Sequence, residues 1–254
     1  MSHTKSTQLI IMQPILKKPI LTSRVHSPAG IIRQTPPPEL KTFKFDENWI
    51  LFEDRSMIVV NKPSGLLSVP GRGEDKQHSM QTLLQQNCAN EEIHVIHRLD
   101  MDTSGLMVFA KNKEAHRHLS RQFQERQTQK RYEAVCTGRL EIPQGECKLP
   151  IRCDWEFRPL QMVDFLYGKP SHTQWQLLQQ AQNHFVVELT PITGRSHQLR
   201  LHMKMLGHPI LGDNLYADND TLNASTRLML HAKMLGLTHP ESLNWLSFNS
   251  PSHF

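Results

Sequence analysis

Several features that mark specialised classes of protein are missing from this sequence. It has no apolar run close to the roughly 18 residues that a membrane-spanning helix needs, and no repeat with the period of a solenoid or a coiled coil. Aromatic residues make up only 7% of the 254 residues, so we expect a largely aliphatic core. The cysteines form no CxxC pair, which argues against a zinc knuckle or a disulfide framework and predicts reduced thiols at Cys88, Cys136, Cys147 and Cys153.

The net charge of +5 is concentrated near one end of the chain. Residues 1–45 contain seven Lys or Arg residues against one acid, Glu39, and prolines interrupt any helix there. We therefore predict a flexible, basic, proline-containing extension over residues 1–45 and a folded domain over residues 46–254. Three interpretations of the extension stay open: a basic arm that contacts nucleic-acid phosphate, a start site placed too far upstream, and an organelle transit peptide, whose amphipathic helix the prolines would disrupt.

Short strands outnumber helices in the folded part. Apolar patterning predicts strands over residues 50–52, 57–60, 106–110, 131–135, 173–178, 185–189 and 228–235. Helical spacing of apolar residues predicts helices over 79–87, 113–126 and 196–206, the last closed by Gly207. Because strands and helices do not alternate regularly, the pattern favours an α+β fold, with a mixed, largely antiparallel sheet and flanking helices, over a doubly wound one.

The segment HRLDMDTSG at residues 97–105 is the most distinctive in the chain. An aspartate beside a Thr-Ser-Gly turn is more often a turn residue than a catalyst. However, Asp100 follows two basic side chains, His97 and Arg98, and precedes an apolar strand that anchors the loop on the core. These features make Asp100 a candidate catalytic residue.

The segment PITGRSHQLRLH at residues 191–202 places Arg195 at the predicted start of a helix. A cation is electrostatically disfavoured at that positive end of the helix. Arg195 is therefore either an ordinary exposed arginine or the partner of an anion from elsewhere in the chain. Asp100 is a candidate for that anion.

Basic residues are concentrated between positions 111 and 131. This stretch has seven basic residues and only two acids, Glu114 and Glu125. Arg117 and Arg121 share one helix face because they are four residues apart. The run is either a solvated helix face or a surface that contacts phosphate. It leads directly into Tyr132.

Taken together, these motifs make the chain resemble the RluA family of pseudouridine synthases. The matching segments are NKPSGLLSVPG at 61–71, HRLDMDTSG at 97–105, KRYEAVCTG at 130–138, PITGRSHQLRLH at 191–202, GHPILGDNLY at 207–216 and LMLHA at 228–232. Within the family, the CDW at 153–155 and the RP at 158–159 are most similar to the subgroup thought to act on both 23S rRNA and tRNA anticodon stem-loops.

The resemblance implies a single catalytic domain that isomerises uridine in RNA without a cofactor or a metal. The N1–C1′ bond breaks, the base turns, and C5 joins C1′. By alignment with the family motifs, Asp100 is the essential aspartate, Tyr132 packs on the target base, Arg195 pairs with the aspartate, and Arg98 fills the space that the flipped nucleotide leaves. We also expect 23S rRNA and tRNA as partners, a cytoplasmic monomer without membrane contact, and RNA contacts from His97, Arg98, Arg117, Arg121, Lys130 and Arg131.

Physical chemistry is consistent with these roles. Flipping a base out of its stack costs a few kcal/mol, which a flat guanidinium such as Arg98 partly offsets by filling the gap. Stacking on an aromatic ring such as Tyr132 is worth about 1–3 kcal/mol. A carboxylate that acts on C1′ or C6 must be ionised, and a paired arginine favours that form.

Three other classes fit the sequence less well. A metalloenzyme would draw on the histidines, but His197, His202 and His208 lack HExxH spacing and no acid lies among them, so hydrogen-bonded core or RNA-facing histidines are expected. A glycosidase needs two carboxylates that flank the bond, whereas Asp100 and Asp102 share one short loop. The remaining alternative is a non-catalytic RNA-binding protein that retains the fold, against which the joint presence of the aligned catalytic residues argues.

Overall fold

A computed structural model describes residues 42–88 and 92–254 of the chain. The described helices are α1 (Met80–Asn87), α2 (Lys113–Gln124), α3 (Gln198–Met205) and α4 (Asn219–Asn223), with short 3-10 helices at Glu47–Trp49 and Glu74–Lys76. The described strands are β1 (Ile50–Glu53), β2 (Met57–Lys62), β3 (His94–Val95), β4 (Ser104–Ala110), β5 (Gln129–Thr137), β6 (Gln144–Cys147), β7 (Ile151–Cys153), β8 (Gln161–Val163), β9 (Thr173–Gln180), β10 (His184–Pro191), β11 (Leu230–Thr238) and β12 (Trp245–Asn249).

Ten of these strands form one mixed sheet in the order β1-β2-β4-β11-β5-β10-β9-β6, with β12 paired to β11 and β3 paired to β4. The pair β4–β11 is parallel, and the other pairs along this order are antiparallel. β7 and β8 form a separate two-stranded sheet. The α+β fold with a mixed, largely antiparallel sheet is therefore confirmed.

The predicted strands and helices are all present, with shifts of a few residues at their ends. The predicted strand over 228–235 is Leu230–Thr238, and the predicted helix over 196–206 is Gln198–Met205. The helix begins late because His197, with φ of 52°, adopts a left-handed conformation instead of a helical one. β3, β6, β7, β8, β12 and α4 were not predicted.

Alternate side chains of β2 and β4 face two different hydrophobic clusters, as the two-residue period of a strand requires. Val60, Met107 and Phe109 belong to a cluster that includes residues of α1, whereas Val59 and Val108 belong to one on the other face that includes residues of α2. A third cluster joins β5 and β10 to α3.

Tyr132 of β5 packs against both the α1 cluster and the α3 cluster. It therefore lies on the sheet face that α1 and α3 cover, at the boundary between these two parts of the core. All four cysteines are free thiols, and Cys136 and Cys147 are buried.

The predicted boundary at residue 46 divides a packed segment. Phe43 and Phe45 pack edge-on against Trp49, with ring centroids 6.3 and 6.2 Å apart, and both contact the α1 cluster. The backbone N–H of Phe43 donates to Nε2 of His78 at 3.0 Å. The rest of the predicted extension, residues 1–41, lies outside the described residues.

Candidate active site

Asp100 lies in the loop that leads from β3 into β4, and a buried lysine holds this loop in place. Lys62 of β2 is fully buried, and its Nζ donates to the carbonyl oxygens of Pro63 at 2.8 Å, Leu66 at 2.7 Å and Met101 at 2.9 Å. Three acceptors match the three N–H bonds of an ammonium group. Burial lowers the pKa of Lys62 to about 7, and the nearby negative charges of Asp102 and Asp100 oppose this shift.

Two serines complete the anchoring of the loop. Ser64 Oγ donates to the carbonyl of Asp102 at 2.6 Å, and Ser68 Oγ donates to the carbonyl of Leu99 at 2.7 Å. The Leu99 side chain is buried in the α1 cluster. Because the backbone on both sides of Asp100 is fixed, its side chain is held at the surface, where 30% of it is exposed.

Gly105 allows β4 to approach β11 at the end of this loop. Its φ is +114°, and a Cβ atom there would lie 2.4 Å from the carbonyl oxygen of Ala232 and 2.5 Å from its nitrogen. Only a glycine fits both the backbone conformation and the close approach of the two strands.

His97 packs within the fold, and its role as an RNA contact stays a prediction. Its Nε2 accepts a hydrogen bond from the N–H of Val108 at 3.2 Å, at a point of β4 between the stretches that pair with β11 and with β3. The ring stacks on Phe123 at 4.5 Å. Burial, and then the charge of Lys130, lowers the pKa of His97 to about 3, so the ring is neutral and supplies no cation for phosphate.

The arginine at Asp100 is Arg200, and the predicted pair of Asp100 with Arg195 is wrong. Nη1 of Arg200 lies 3.9 Å from Oδ2 of Asp100. Arg195 precedes α3 and its Nε donates to the carbonyl of Pro170 at 3.3 Å. The first turn of α3 carries Arg200 inward, whereas Arg195 lies outside the helix on a more exposed loop.

Arg200 is held by a buried carboxylate. Its Nε and Nη2 donate to the two oxygens of Asp213 at 2.9 and 2.6 Å, and Nη2 also donates to Oδ1 of Asn214 at 2.9 Å. Asp213 is fully buried and accepts further bonds from the N–H groups of Leu215 and Tyr216. Because two oxygens of one carboxylate fix the guanidinium plane, the free Nη1 has a defined position beside Asp100.

His197 lies on the other oxygen of Asp100. Its Nε2 is 3.9 Å from Oδ1 of Asp100, and its Nδ1 is 2.8 Å from Oη of Tyr216. That Oη accepts from the N–H of Gln161 at 2.9 Å, so the phenol proton is available to Nδ1. This pattern favours the tautomer that carries its proton on Nε2, facing Asp100. Burial lowers the pKa of His197 although Asp100 opposes the shift, so the ring is neutral near pH 7.

Tyr132 is half-buried on the same side of the sheet as Leu99. Burial, together with the negative charge of Asp100, raises the pKa of its phenol, which therefore stays neutral. The neutral ring offers an apolar and aromatic surface next to the carboxylate. Asp100, Tyr132, His197 and Arg200 thus form one site, of which the sequence pattern identified the first two.

The remaining predicted RNA contacts are dispersed. Arg98 is exposed and adjoins Leu99 and Asp100. Arg117 and Arg121 are exposed on α2, which covers the sheet face opposite Leu99 and Tyr132, so they are not part of the site around Asp100. Two further cations lie at the start of β5. Lys130 Nζ is 5.8 Å from the Phe123 ring centroid, and Nη1 of Arg131 is 3.8 Å from Oε1 of Glu188.

Of the three histidines that raised the possibility of a metal, His197 lies beside Asp100 and the other two hydrogen-bond to neighbouring strands and loops. His202 contacts the carbonyl of Leu149 at 3.0 Å and Oγ1 of Thr173 at 2.9 Å, and His208 contacts the carbonyl of Thr137 at 3.0 Å. Over residues 42–88 and 92–254, no group of three or more His, Cys, Asp or Glu side chains is arranged to hold a metal ion. Nor does any helix in these ranges have the length and apolar character needed to cross a membrane.

Comparison with known proteins agrees with the motifs. Residues 56–205 match the family model described as RNA pseudouridylate synthase. The chain is 47% identical over 228 residues to the dual-specificity RNA pseudouridine synthase RluA of Pasteurella multocida, which covers 89% of this chain and 100% of that protein. It is 47% identical over 211 residues to the protein of the same name from Escherichia coli, which covers 82% of this chain and 95% of that protein.

Solved structures show the same similarity. Human RNA Pseudouridylate Synthase Domain Containing 1 aligns with a TM-score of 0.67 at 30% identity, covering 80% of this chain and 82% of the human chain. Human RNA Pseudouridylate Synthase Domain Containing 4 aligns with a TM-score of 0.62 at 26% identity, covering 80% of this chain and 88% of the other. The similarity therefore includes the fold as well as the motifs.

Proposed function

The chain belongs to the RNA pseudouridylate synthase family and is an RNA pseudouridine synthase, an isomerase, and from this premise we propose that it modifies uridines in both 23S rRNA and tRNA anticodon stem-loops. Support comes from its relatives, which are named dual-specificity enzymes, and from the segments at 153–155 and 158–159 that resemble the subgroup acting on both RNAs.

Asp100 is the proposed catalytic residue, and the arrangement of polar groups around it carries the proposal. The carboxylate is partly exposed, with the guanidinium of Arg200 at one oxygen and the imidazole of His197 at the other. A carboxylate in this position is accessible to a uridine that has left its stack. Arg200 and His197 hold its orientation from the protein side, which is what a group that must meet one atom of the substrate requires.

The overall reaction is an exchange of bonds within one nucleotide. The N1–C1′ bond breaks, the uracil turns, and a C5–C1′ bond forms. C5 then loses its proton and N1 gains one, so the product has the composition of the substrate. No electrons are transferred to or from an external group, and no cofactor is required by the balance.

Tyr132 and Arg98 are the proposed base-handling residues. The neutral Tyr132 ring lies on the sheet face beside Asp100 and offers the flipped uracil a stacking surface worth about 1–3 kcal/mol. Arg98 is exposed two residues before Asp100, where a planar guanidinium can occupy the gap in the RNA stack. Lys130, Arg131, Arg117 and Arg121 are proposed as more distant phosphate contacts.

Release of tritium from RNA labelled at C5 of uridine tests the proposal. Wild-type protein should release tritium from rRNA and tRNA stem-loops, and Asp100→Asn should release none while its RNA affinity stays within about tenfold, since only one charge is lost. Asp102→Asn is the matched control from the same loop: it removes the same charge, keeps an oxygen that can accept from Asn214, and should retain turnover. Wild-type turnover by Asp100→Asn would refute the assignment, and stable RNA binding without tritium release by the wild type would favour the non-catalytic alternative.

We propose further that the enzyme acts as a monomer in the cytoplasm, where rRNA and tRNA are present, and without metal. Sedimentation at working concentration tests the monomer. Undiminished tritium release in the presence of a chelator is expected, and its loss would overturn the metal-free reaction.

A further inference from the structure

A small lobe adjoins the site and is separate from the main sheet. It comprises β7, β8 and their flanking turns, and we call residues 150–170 the hairpin lobe. On its inner side, Ile151 and Val163 pack against Leu201 of α3 and against Tyr216. The lobe also supplies the Gln161 N–H that binds Tyr216 Oη. It is therefore attached directly to the residues that hold His197 beside Asp100.

The turns at the two ends of the β7–β8 hairpin carry exposed apolar side chains. Five large hydrophobic side chains there have exposures between 44% and 77%, namely Trp155, Phe157, Phe165, Leu166 and Tyr167. In the described part of the chain, four of the five most exposed large hydrophobic side chains belong to this group. A concentration of exposed apolar surface in one short segment marks a binding surface more often than chance exposure does.

The exposed turn at the end of β8 is held in a fixed conformation. Oδ1 of Asp164 accepts from the N–H groups of Leu166 at 2.8 Å and Tyr167 at 2.9 Å, while Oδ2 pairs with Nε of Arg152. The bond from Tyr167, and then that from Arg152, lower the pKa of Asp164 to about 2. Because the turn is already ordered, a partner that stacks on its side chains immobilises little additional backbone.

Both acids and cations lie among these aromatic residues: Asp154 and Glu156 flank Trp155, and Arg158 follows Phe157. The guanidinium of Arg158 lies 5.1 Å from the Trp155 ring centroid. Lys169 is exposed directly after the turn, and Arg195 donates to the carbonyl of Pro170 at the lobe's edge. Exposed aromatic rings with cations nearby suit a polyanion with unpaired bases, because the rings stack on bases while the cations contact phosphates.

We propose that the hairpin lobe binds single-stranded nucleotides that flank the target uridine, with unpaired bases stacked on Trp155, Phe165 and Tyr167 and phosphates contacted by Arg158, Lys169 and Arg195. This inference rests on the proposed function, since the lobe adjoins the Asp100 site and the same RNA would have to reach both. It gives Arg195 a role on the RNA instead of on Asp100.

The test compares a triple variant of the full chain, Trp155→Ala, Phe165→Ala and Tyr167→Ala, with a control variant, Leu243→Ala and Trp245→Ala. The control removes exposed hydrophobic side chains next to and within β12, away from the lobe. Kd and kcat/KM are measured on one anticodon stem-loop. Loss of a stacked base should raise Kd about tenfold or more in the triple variant, with the control unchanged and equal melting temperatures for both variants and the wild type.

An RNA variant provides the matching change on the other partner. Abasic sites at the nucleotides flanking the target should weaken binding to the wild type without weakening the triple variant further. Equal losses in both proteins would overturn the stacking role. Unchanged RNA affinity in the triple variant, or loss of self-association instead of RNA affinity in sedimentation, would also overturn it. If the wild type binds these RNAs but releases no tritium, the proposed function fails. The role of the hairpin lobe is then still decided by comparing the Kd of the triple variant with that of the wild type.

Discussion

At the level of single residues, the surroundings of Asp100 depend on an arginine and a histidine only three positions apart. His197 is in a left-handed conformation that begins α3 at Gln198, and Arg200 then lies in the first turn, where it reaches Asp213. The start of α3 at Gln198 therefore leaves Arg195 before the helix and places Arg200 within it. The signal for Arg200 in the sequence was its position between two apolar residues, Leu199 and Leu201, which indicates burial. A buried arginine requires an acidic partner.

Replacing the two arginines by lysine should separate their roles. Arg200→Lys should lose most tritium release, because a point charge cannot hold both Asp213 oxygens and also face Asp100. It should also lower the free energy of unfolding by about 3 kcal/mol, since Asp213 is buried and loses its bidentate partner. Arg195→Lys keeps a surface cation and should retain kcat. Normal kcat in Arg200→Lys together with loss of activity in Arg195→Lys would show that Asp100 depends on Arg195 and not on Arg200.

Tyr216→Phe tests whether His197 acts as a positioning residue for Asp100. Removing the hydroxyl frees Nδ1 of His197, so the proton should no longer be confined to Nε2. Nitrogen NMR of labelled histidine should show the Nε2–H tautomer in the wild type and a mixture in the variant, and kcat should fall. Tyr167→Phe, which alters an exposed hydroxyl in the hairpin lobe, is the control. An unaltered tautomer with unaltered kcat would remove His197 from the mechanism.

At the level of secondary-structure elements, the strands with longer apolar segments were predictable and the shorter strands were not. β2 and β4 have apolar runs whose alternate residues fill two clusters, whereas β7 and β8 have only three residues each and carry no period. β6 buries only Cys147. Asp100 and Tyr132 were identifiable as site residues from their local motifs. Asp213 and Tyr216 lie in the motif at 207–216, but their bonds to Arg200 and His197 are tertiary contacts, which a local motif does not reveal.

Gly105→Ala tests the close contact between β4 and β11. The substitution places a Cβ against the backbone of Ala232 at a positive φ, and we expect a loss of about 4 kcal/mol in the free energy of unfolding, the range reserved for strained or overpacked sites. Gly194→Ala is the control, since no atom lies within 4 Å of a Cβ at that position. It should change stability by no more than about 0.5 kcal/mol. Urea denaturation of both variants provides the comparison, and equal stability would show that the strands can separate.

At the level of the whole molecule, the site lies where separate parts of the core meet. Tyr132 contacts both the α1 and the α3 clusters, and Asn214 Nδ2 donates to Oδ2 of Asp102 at 3.1 Å, which joins the segment after α3 to the Asp100 loop. The Asp100 loop and the segment after α3 are far apart in the sequence but hydrogen-bonded across the site. Disturbing the packing of either half is therefore expected to affect the same few catalytic contacts.

Two truncations distinguish the extension from the folded enzyme. Deleting residues 1–41 should leave melting temperature and kcat unchanged, but it removes six basic residues and one acid and should make the salt dependence of RNA binding shallower. Deleting residues 1–45 also removes Phe43 and Phe45, which pack against Trp49. We expect this longer deletion to lower the free energy of unfolding by about 3 kcal/mol, as for loss of half-buried aromatic packing.

The matched control is Phe43→Ala with Phe45→Ala in the full chain, which should reproduce the loss of stability without the change in salt dependence. If the two effects separate in this way, the change in salt dependence comes from the charge of residues 1–41 and the loss of stability comes from the packing of residues 43 and 45. If the shorter deletion alone lowers the melting temperature, residues before 42 contribute to the folded domain, and its boundary must move toward the start of the chain.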